Sequence, residues 1–345
     1  MKSFFQIAIL VFVGALAFVT IQNHFQEYDM TVSAQEESDT DFISLVQGIL
    51  EKNNNLLSKS EIYHLWAVGD IMLDRGVLGR VERNNMEYDF PFALIGDDLA
   101  SADLVFGNLE GSMSDTGTDT EKAYSFRFNP AFAEALNRAS FDVVSLANNH
   151  MLDWGRDSLC ETTKNLESVG IDYVGAGCDT EQAEKPSIQK LGDMTIAFLA
   201  YTEFYKGAHA TETRAGMSEF NMGKITTRIK GLKEEQGIDL VMVSFHAGTE
   251  YKTRSNSFQQ ETYKALVDAG ADVVIGHHPH VAQEIERYRD GWIIYSLGNF
   301  IFDQPFSEET MRGLLADIHI QNKKIYDIQP RLIQLNSDFQ PYISN

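Results

Sequence analysis

The chain has 345 residues, of which 28 are basic and 50 acidic, giving a formal net charge of −22. Hydrophobic residues make up 43%, too many for a disordered chain. The acidity argues against nucleic acid as a partner, because phosphates would be repelled, and two cysteines are too few for a disulfide scaffold.

Residues 4–21 are almost continuously apolar, interrupted only by Gln6 and Thr20, and Lys2 precedes them. A helix of that length just spans a bilayer core. A basic residue on the amino side of such a segment favours export of the chain on its carboxyl side. The expectation is a single-pass membrane anchor at 1–21, with the bulk of the chain outside the cytoplasm. The alternative is a cleaved signal and a secreted domain. The candidate cleavage site is Val32-Ser33-Ala34, about a dozen residues past the apolar run. Residues 22–60 are polar and acidic and read as a spacer. Within it Phe42, Ile43, Val46, Ile49 and Leu50 recur at helical spacing, and Asn53-Asn54-Asn55 ends the pattern.

Residues 61–345 read as one α/β domain. Apolar runs predict strands at 62–68, 104–106, 143–146, 196–200, 240–245, 273–275 and 292–297. Helical patterns lie at 130–139, 158–169, 224–235 and 258–269. Short apolar strands interleaved with helices predict largely buried sheets. Residues 314–320 and 325–335 alternate and have no helix between them, which predicts an antiparallel hairpin around Asn322-Lys323-Lys324.

The residues after each strand carry the chemistry. Five runs lead into Gly69-Asp70, Gly107-Asn108-Leu109-Glu110, Asn148-Asn149-His150, His246-Ala247-Gly248 and Gly276-His277-His278-Pro279-His280. Ligands bind outside the carboxyl ends of strands in open α/β sheets. Five of the nine histidines fall at these positions. Mixed carboxylate, amide and imidazole ligands suit Mn²⁺, Fe²⁺ or Zn²⁺, and one or two such ions would clamp a phosphoryl oxygen and activate water.

These motifs, with Asp153-Trp154-Gly155, His246 to Tyr251 and Ser296-Leu297-Gly298-Asn299-Phe300, resemble the poly-γ-glutamate capsule biosynthesis (CapA) family. That family is a branch of the calcineurin-like metallophosphoesterases. The likeness runs in order over roughly residues 61–305. It implies a four-layer α/β/β/α sandwich with a metal site between strand ends. It also implies an extracytoplasmic, membrane-anchored protein of capsule polymer synthesis or export, working beside polyglutamate synthase subunits.

Carried over by position, the resemblance makes Asp70, Glu110, Asn149, His246, His278 and His280 metal ligands, with Glu110 as the bridging carboxylate and His277 as an extra imidazole. His150 would protonate a leaving group, and Asp153 would orient it. Arg75 and Asn108 would contact substrate. One position departs from classical metallophosphoesterases: they place histidine two residues after the first aspartate, and here that residue is Met72, a poor ligand for hard ions. The same residues allow three functions: a metal-dependent phosphoesterase, a hydrolase or transferase of γ-glutamyl amides, or a non-catalytic polymer-binding or scaffold subunit. Cys160 and Cys178 either pair in an oxidising compartment or leave Cys160 simply buried in its helix.

Overall fold

A computed structural model describes residues 61–204 and 207–344. The anchor or signal expected at 1–21 and the spacer at 22–60 lie outside the described residues. Among the described residues, no helix is long and apolar enough to cross a membrane.

The principal strands are β1 (Tyr63–Ile71), β2 (Leu104–Leu109), β3 (Val143–Ser145), β4 (Asp172–Val174), β5 (Ser187–Leu191), β6 (Met194–Thr202) and β7 (Leu240–His246). They continue with β8 (Val273–His277), β9 (Ile285–Tyr288), β10 (Gly291–Ile294), β11 (Asn299–Ile301), β12 (Arg312–Gln321), β13 (Lys324–Leu335) and β14 (Pro341–Ile343). The helices are α1 (Arg75–Arg83), α2 (Gly96–Leu99), α3 (Phe132–Arg138), α4 (Gly155–Ser168), α5 (Thr180–Glu184), α6 (Met222–Lys230) and α7 (Ser257–Asp268).

Two large sheets result, so the α/β class expected from the alternating pattern holds. The first runs β14-β13-β12-β1-β2-β3-β4, with β11 also paired to β1, and the second runs β9-β10-β8-β7-β6-β5. Side chains of a strand alternate between faces, and the packing shows that period. Leu65 and Ala67 of β1, Leu104 and Phe106 of β2, and Val143 of β3 meet Ile196, Phe198, Met242, Val273 and Ile275 of the second sheet in one cluster. Their neighbours Trp66, Val68, Val105 and Val144 turn the other way, onto Val77 of α1, Leu136 of α3 and Leu159 of α4. On the second sheet Ala197, Leu199, Val241, Val243 and Val274 pack on Ile225 of α6 and Leu266 of α7. Each of these central strands is therefore apolar on both faces, which explains the continuous apolar runs. Each fully buried Leu, Val or Phe contributes about 1.5–3 kcal/mol.

The hairpin expected at the carboxyl end is β12–β13, antiparallel, with Gln321 opposite Lys324. Asn322 and Lys323 between them have φ of 53° and 62°, the left-handed pair that a two-residue turn needs. The helix at 224–235 ends earlier than expected, at Lys230, and continues as a π turn over Gly231–Glu235. The sequence pattern gave no sign of α1, whose nine residues bury only Val77 and Val81. Cys160 on α4 and Cys178 are joined by a disulfide.

Candidate metal centre

Two glycines set the strand ends. A Cβ on Gly69 would lie 1.8 Å from the Gly298 carbonyl oxygen, and one on Gly276 would lie 1.9 Å from that of Tyr295. Backbones pass too closely there for any side chain. The next residue in each case is a site residue, Asp70 after Gly69 and His277 after Gly276. Asp70 lies at the end of β1, opposite Asn108 of parallel β2 and Asn299 of parallel β11. His246 and His277 are opposite each other on β7 and β8.

The two sheets therefore deliver their polar ends to one place. Asp70, Asn108, Glu110, His246 and His277 are fully buried, and His280 and His278 nearly so. Asp70 Oδ2 lies 3.2 Å from His280 Nδ1, and its Oδ1 lies 3.4 Å from His277 Nδ1. Asn149 Oδ1 pairs with His246 Nε2 at 2.7 Å. His280 Nδ1 also meets Asn299 Oδ1 at 3.1 Å. His278 and His280 hold φ of 97° and 58°, left-handed backbone that a tight loop imposes and that costs about 1–3 kcal/mol each.

Glu110 Oε1 is buried with no hydrogen-bond partner. Three imidazole nitrogens stand around it: His280 Nε2 at 3.7 Å, His150 Nε2 at 3.9 Å and His246 Nε2 at 4.0 Å. These separations are too long for hydrogen bonds. Those of His280 and His246 match donor atoms that share one cation with Glu110, since ligands about 2.0–2.2 Å from an ion lie about 3–4 Å apart. His277, with neither nitrogen bonded, and His278 Nδ1 are likewise buried without partners. Asp70, Glu110 and His280 bring their ligand atoms within 4.8 Å of one another, as do Glu250, His278 and His280. The residues fit a divalent metal.

The electrostatics agree. Burial pushes the Glu110 carboxyl well above its ordinary range, and the neighbouring Asp70 charge adds to the rise. Burial also opposes ionisation of Asp70, but His277 and His280 outweigh it and hold the group well below its ordinary range. Two carboxylates buried side by side do not both ionise without a cation. Burial lowers His246 far below the usual imidazole value, helped by His278. His278 falls to about 3 through burial and the charge of His280. Neutral imidazoles with free lone pairs are what a metal requires.

The remaining expected residues divide. His150 Nδ1 bonds Asp153 Oδ2 at 2.6 Å, and Lys122 Nζ bridges Asp153 Oδ1 at 2.5 Å and the Asn149 carbonyl at 2.8 Å. Burial lowers His150, against the pull of Asp153. Arg75 lies on the wall of a cavity of about 320 Å³ above His150 and His280, paired with Asp303 and stacked on Phe126. Asn108, expected at the substrate, is instead tied up within the floor: Nδ2 donates to Asp70 Oδ1 at 2.8 Å, and Oδ1 accepts from Asn148 Nδ2 at 3.3 Å. Met72 is fully buried in the helix-side cluster, and its Sδ accepts the Asp74 N–H. Met72 lies just past the end of β1 and packs with its neighbours Ile71 and Leu73 in the same helix-side cluster, so strand alternation does not carry its side chain to Asp70. Lys122 was not expected from the sequence, and Asn299 and Glu250, though inside the motifs that carry the resemblance, were given no role there. Asn299 had a further signal, since it opens the strand after Gly298 much as Asn108 comes after Gly107.

Residues 64–304 match the family model described as bacterial capsule synthesis protein PGA_cap. The chain is 34% identical over 279 residues to the capsule biosynthesis protein CapA of Bacillus anthracis, covering 78% of this chain and 67% of that one. It is 33% identical over 258 residues to the PGA biosynthesis protein CapA of Bacillus subtilis strain 168, covering 74% and 67%. A probable polyglutamine synthesis accessory protein of Mycobacterium tuberculosis is 26% identical over 256 residues, covering 70% and 67%. With the motifs, the strand ends and these relatives in agreement, the chain belongs to the family of bacterial capsule synthesis proteins.

Proposed function

We propose that the protein is a metal-dependent hydrolase of the phosphoesterase type, working outside the cytoplasm in the synthesis or export of a poly-γ-glutamate capsule beside membrane-bound synthase subunits. The observation that carries this reading is the unpartnered Glu110 Oε1 with three imidazoles around it. Asp70, Glu110, Asn149, His246, His278 and His280 would hold the metal. A bound divalent ion would supply Lewis-acid polarisation of a phosphoryl or carbonyl oxygen. Asp153 fixes the His150 ring through Nδ1, which leaves Nε2 facing Glu110 to exchange a proton with the substrate. Lys122 holds Asp153 in turn. Arg75, on the cavity wall, meets an anionic substrate oxygen once its pairing with Asp303 is shared. The two-sheet architecture with strand ends meeting at the site supports the four-layer metallophosphoesterase sandwich.

Two further features support the extracytoplasmic placement: the apolar segment at 4–21 and the Cys160–Cys178 disulfide, a bond that persists in oxidising compartments. A second reading, a non-catalytic polymer-binding or scaffold subunit, is favoured by Met72, which leaves a classical ligand position to core packing. The test is metal analysis of the full-length chain together with phosphomonoester and phosphodiester turnover before and after chelation. Bound metal with chelator-sensitive turnover supports the enzyme. Bound metal with no turnover favours the scaffold, and no metal under any loading condition overturns the centre itself.

A further inference from the structure

A second cluster of ligand-type side chains lies on the first sheet, away from the centre. Antiparallel pairing of β1 and β12 sets His64 opposite His319 and Trp66 opposite Asp317. Alternate residues share a face, so His64, Asp317 and His319 gather on the side of Trp66, the outer face of that sheet. Their ligand atoms lie within 4.8 Å of one another. His64 and Asp70 are six steps apart along β1, about 20 Å of strand.

Asp317 is fully buried and divides its two oxygens. Oδ2 pairs with Arg331 Nη2 at 2.5 Å. Oδ1 is hydrogen-bonded to His64 Nδ1 at 2.8 Å and lies 3.3 Å from His319 Nε2. The second contact is not a hydrogen bond, because His319 Nε2 is buried without a partner. An unpaired buried nitrogen is costly. Its 3.3 Å separation from the carboxylate oxygen equals a tetrahedral edge. Zinc bonds of about 2.0–2.1 Å give edges of about 3.3–3.4 Å. The rings meet edge to face at 4.6 Å between centroids, which leaves both nitrogens turned toward Asp317 Oδ1.

We propose that His64, Asp317 and His319 form a second divalent-cation site, of the zinc type, on the outer face of the first sheet. Two imidazoles and one carboxylate are the protein ligands. The His64 side chain is 39% exposed, so water completes the coordination from that side. Arg331 orients the carboxylate by holding its far oxygen, the role that outer partners play at metal sites. Its positive charge opposes the incoming cation, which places this site below the Asp70 centre in affinity.

The proposal does not depend on the hydrolase function, and its test reads a difference. Zinc stoichiometry and Co²⁺ absorption are measured on the full-length chain and on His64→Gln and His319→Gln. The expected result is the loss of one equivalent of zinc in each variant, with loss of a four-coordinate cobalt spectrum. His64 is the exposed ligand, and a glutamine there keeps an amide near Asp317. His64→Gln should therefore melt like the parent without metal and decides the matter if His319→Gln fails to fold. Equal stoichiometry in parent and His64→Gln overturns the proposal and leaves the cluster an ion-pair hub around Asp317. Because only the difference is read, the outcome is the same whether or not the Asp70 centre is loaded.

Discussion

Asn108 donates its Nδ2 to Asp70 Oδ1 at 2.8 Å, and this bond ties the ends of two parallel strands into the floor of the centre. The same nitrogen lies 3.4 Å from Glu110 Oε2 and 3.3 Å from His246 Nδ1. One amide thus touches two carboxylates and an imidazole. Replacing it with apolar leucine leaves Asp70 and Asn148, both fully buried, short of a partner. Asn108→Leu should lower stability by about 2–4.5 kcal/mol, about 1.5–3 for the lost bond to the Asp70 carboxylate and about 0.5–1.5 for the lost bond to Asn148. Chemical denaturation of the metal-free protein checks this. A variant as stable as the parent would show that Asn108 is not structural and would return it to the substrate.

The paired histidines give a prediction about metal. His278→Ala with His280→Ala removes two nitrogens, one beside Asp70 and Glu110 and both from the group with Glu250. The double variant should retain no divalent metal at the Asp70 centre and should lose the rise in melting temperature that metal gives the parent. At a hundredfold excess over the dissociation constant that rise corresponds to about 2.7 kcal/mol. Metal content by elemental analysis and melting with and without added Mn²⁺ or Zn²⁺ read the result. Equal metal in both proteins would remove His278 and His280 from the ligand set.

Gly69→Ala tests why glycine precedes Asp70. Its Cβ would meet the Gly298 carbonyl oxygen at 1.8 Å, and that oxygen accepts the Asp70 N–H at 2.9 Å. Backbone cannot swing aside as a flexible side chain does, so β1 and the 298 turn must separate and carry Asp70 with them. The expected outcome is a loss of more than about 3 kcal/mol, beyond the usual range for a point mutant, together with loss of metal. Gly79→Ala, where nothing lies within 4 Å, serves as the control and should gain stability or change little.

Much of this centre was legible because it is built from strand ends. Apolar runs located β1, β2, β3, β6, β7 and β8, and polar residues at the ends of five of these runs are side chains of the site. What was not legible depends on pairing across the chain. Asn299 belongs to the centre through β11, which lies beside β1 only because strands far apart in sequence meet. Lys122 comes from a loop with no periodic signal and reaches Asp153 across 31 positions. α1 carries Gly76 and Gly79, is polar over most of its length and buries only Val77 and Val81, too few apolar residues to stand out as a helical pattern. The His64–Asp317–His319 group needed the β1–β12 register before its members could be seen as neighbours.

Met72 supplies the last prediction, and its direction is set by where the side chain packs. From the sequence, a histidine placed two residues after Asp70 restores a classical ligand, so Met72→His would add metal and turnover. The structure reverses that expectation. Met72 is fully buried among Ile71, Leu73, Val77 and Phe302, and its sulfur already takes the Asp74 N–H. Asp74 caps α1 through the Arg75 N–H and also accepts from the Arg127 N–H, so the thioether helps set the turn that leads to Arg75. A histidine there buries a polar ring without a full set of partners, at about 1–3 kcal/mol. Met72→His should melt lower than the parent and bind no more metal, while Met72→Leu keeps the volume and should cost less than about 1.5 kcal/mol. Melting temperature and metal stoichiometry of the two variants decide it. A histidine variant that gains an equivalent of metal would show that the strand end can rotate the new side chain toward Asp70, and the centre would then include that position.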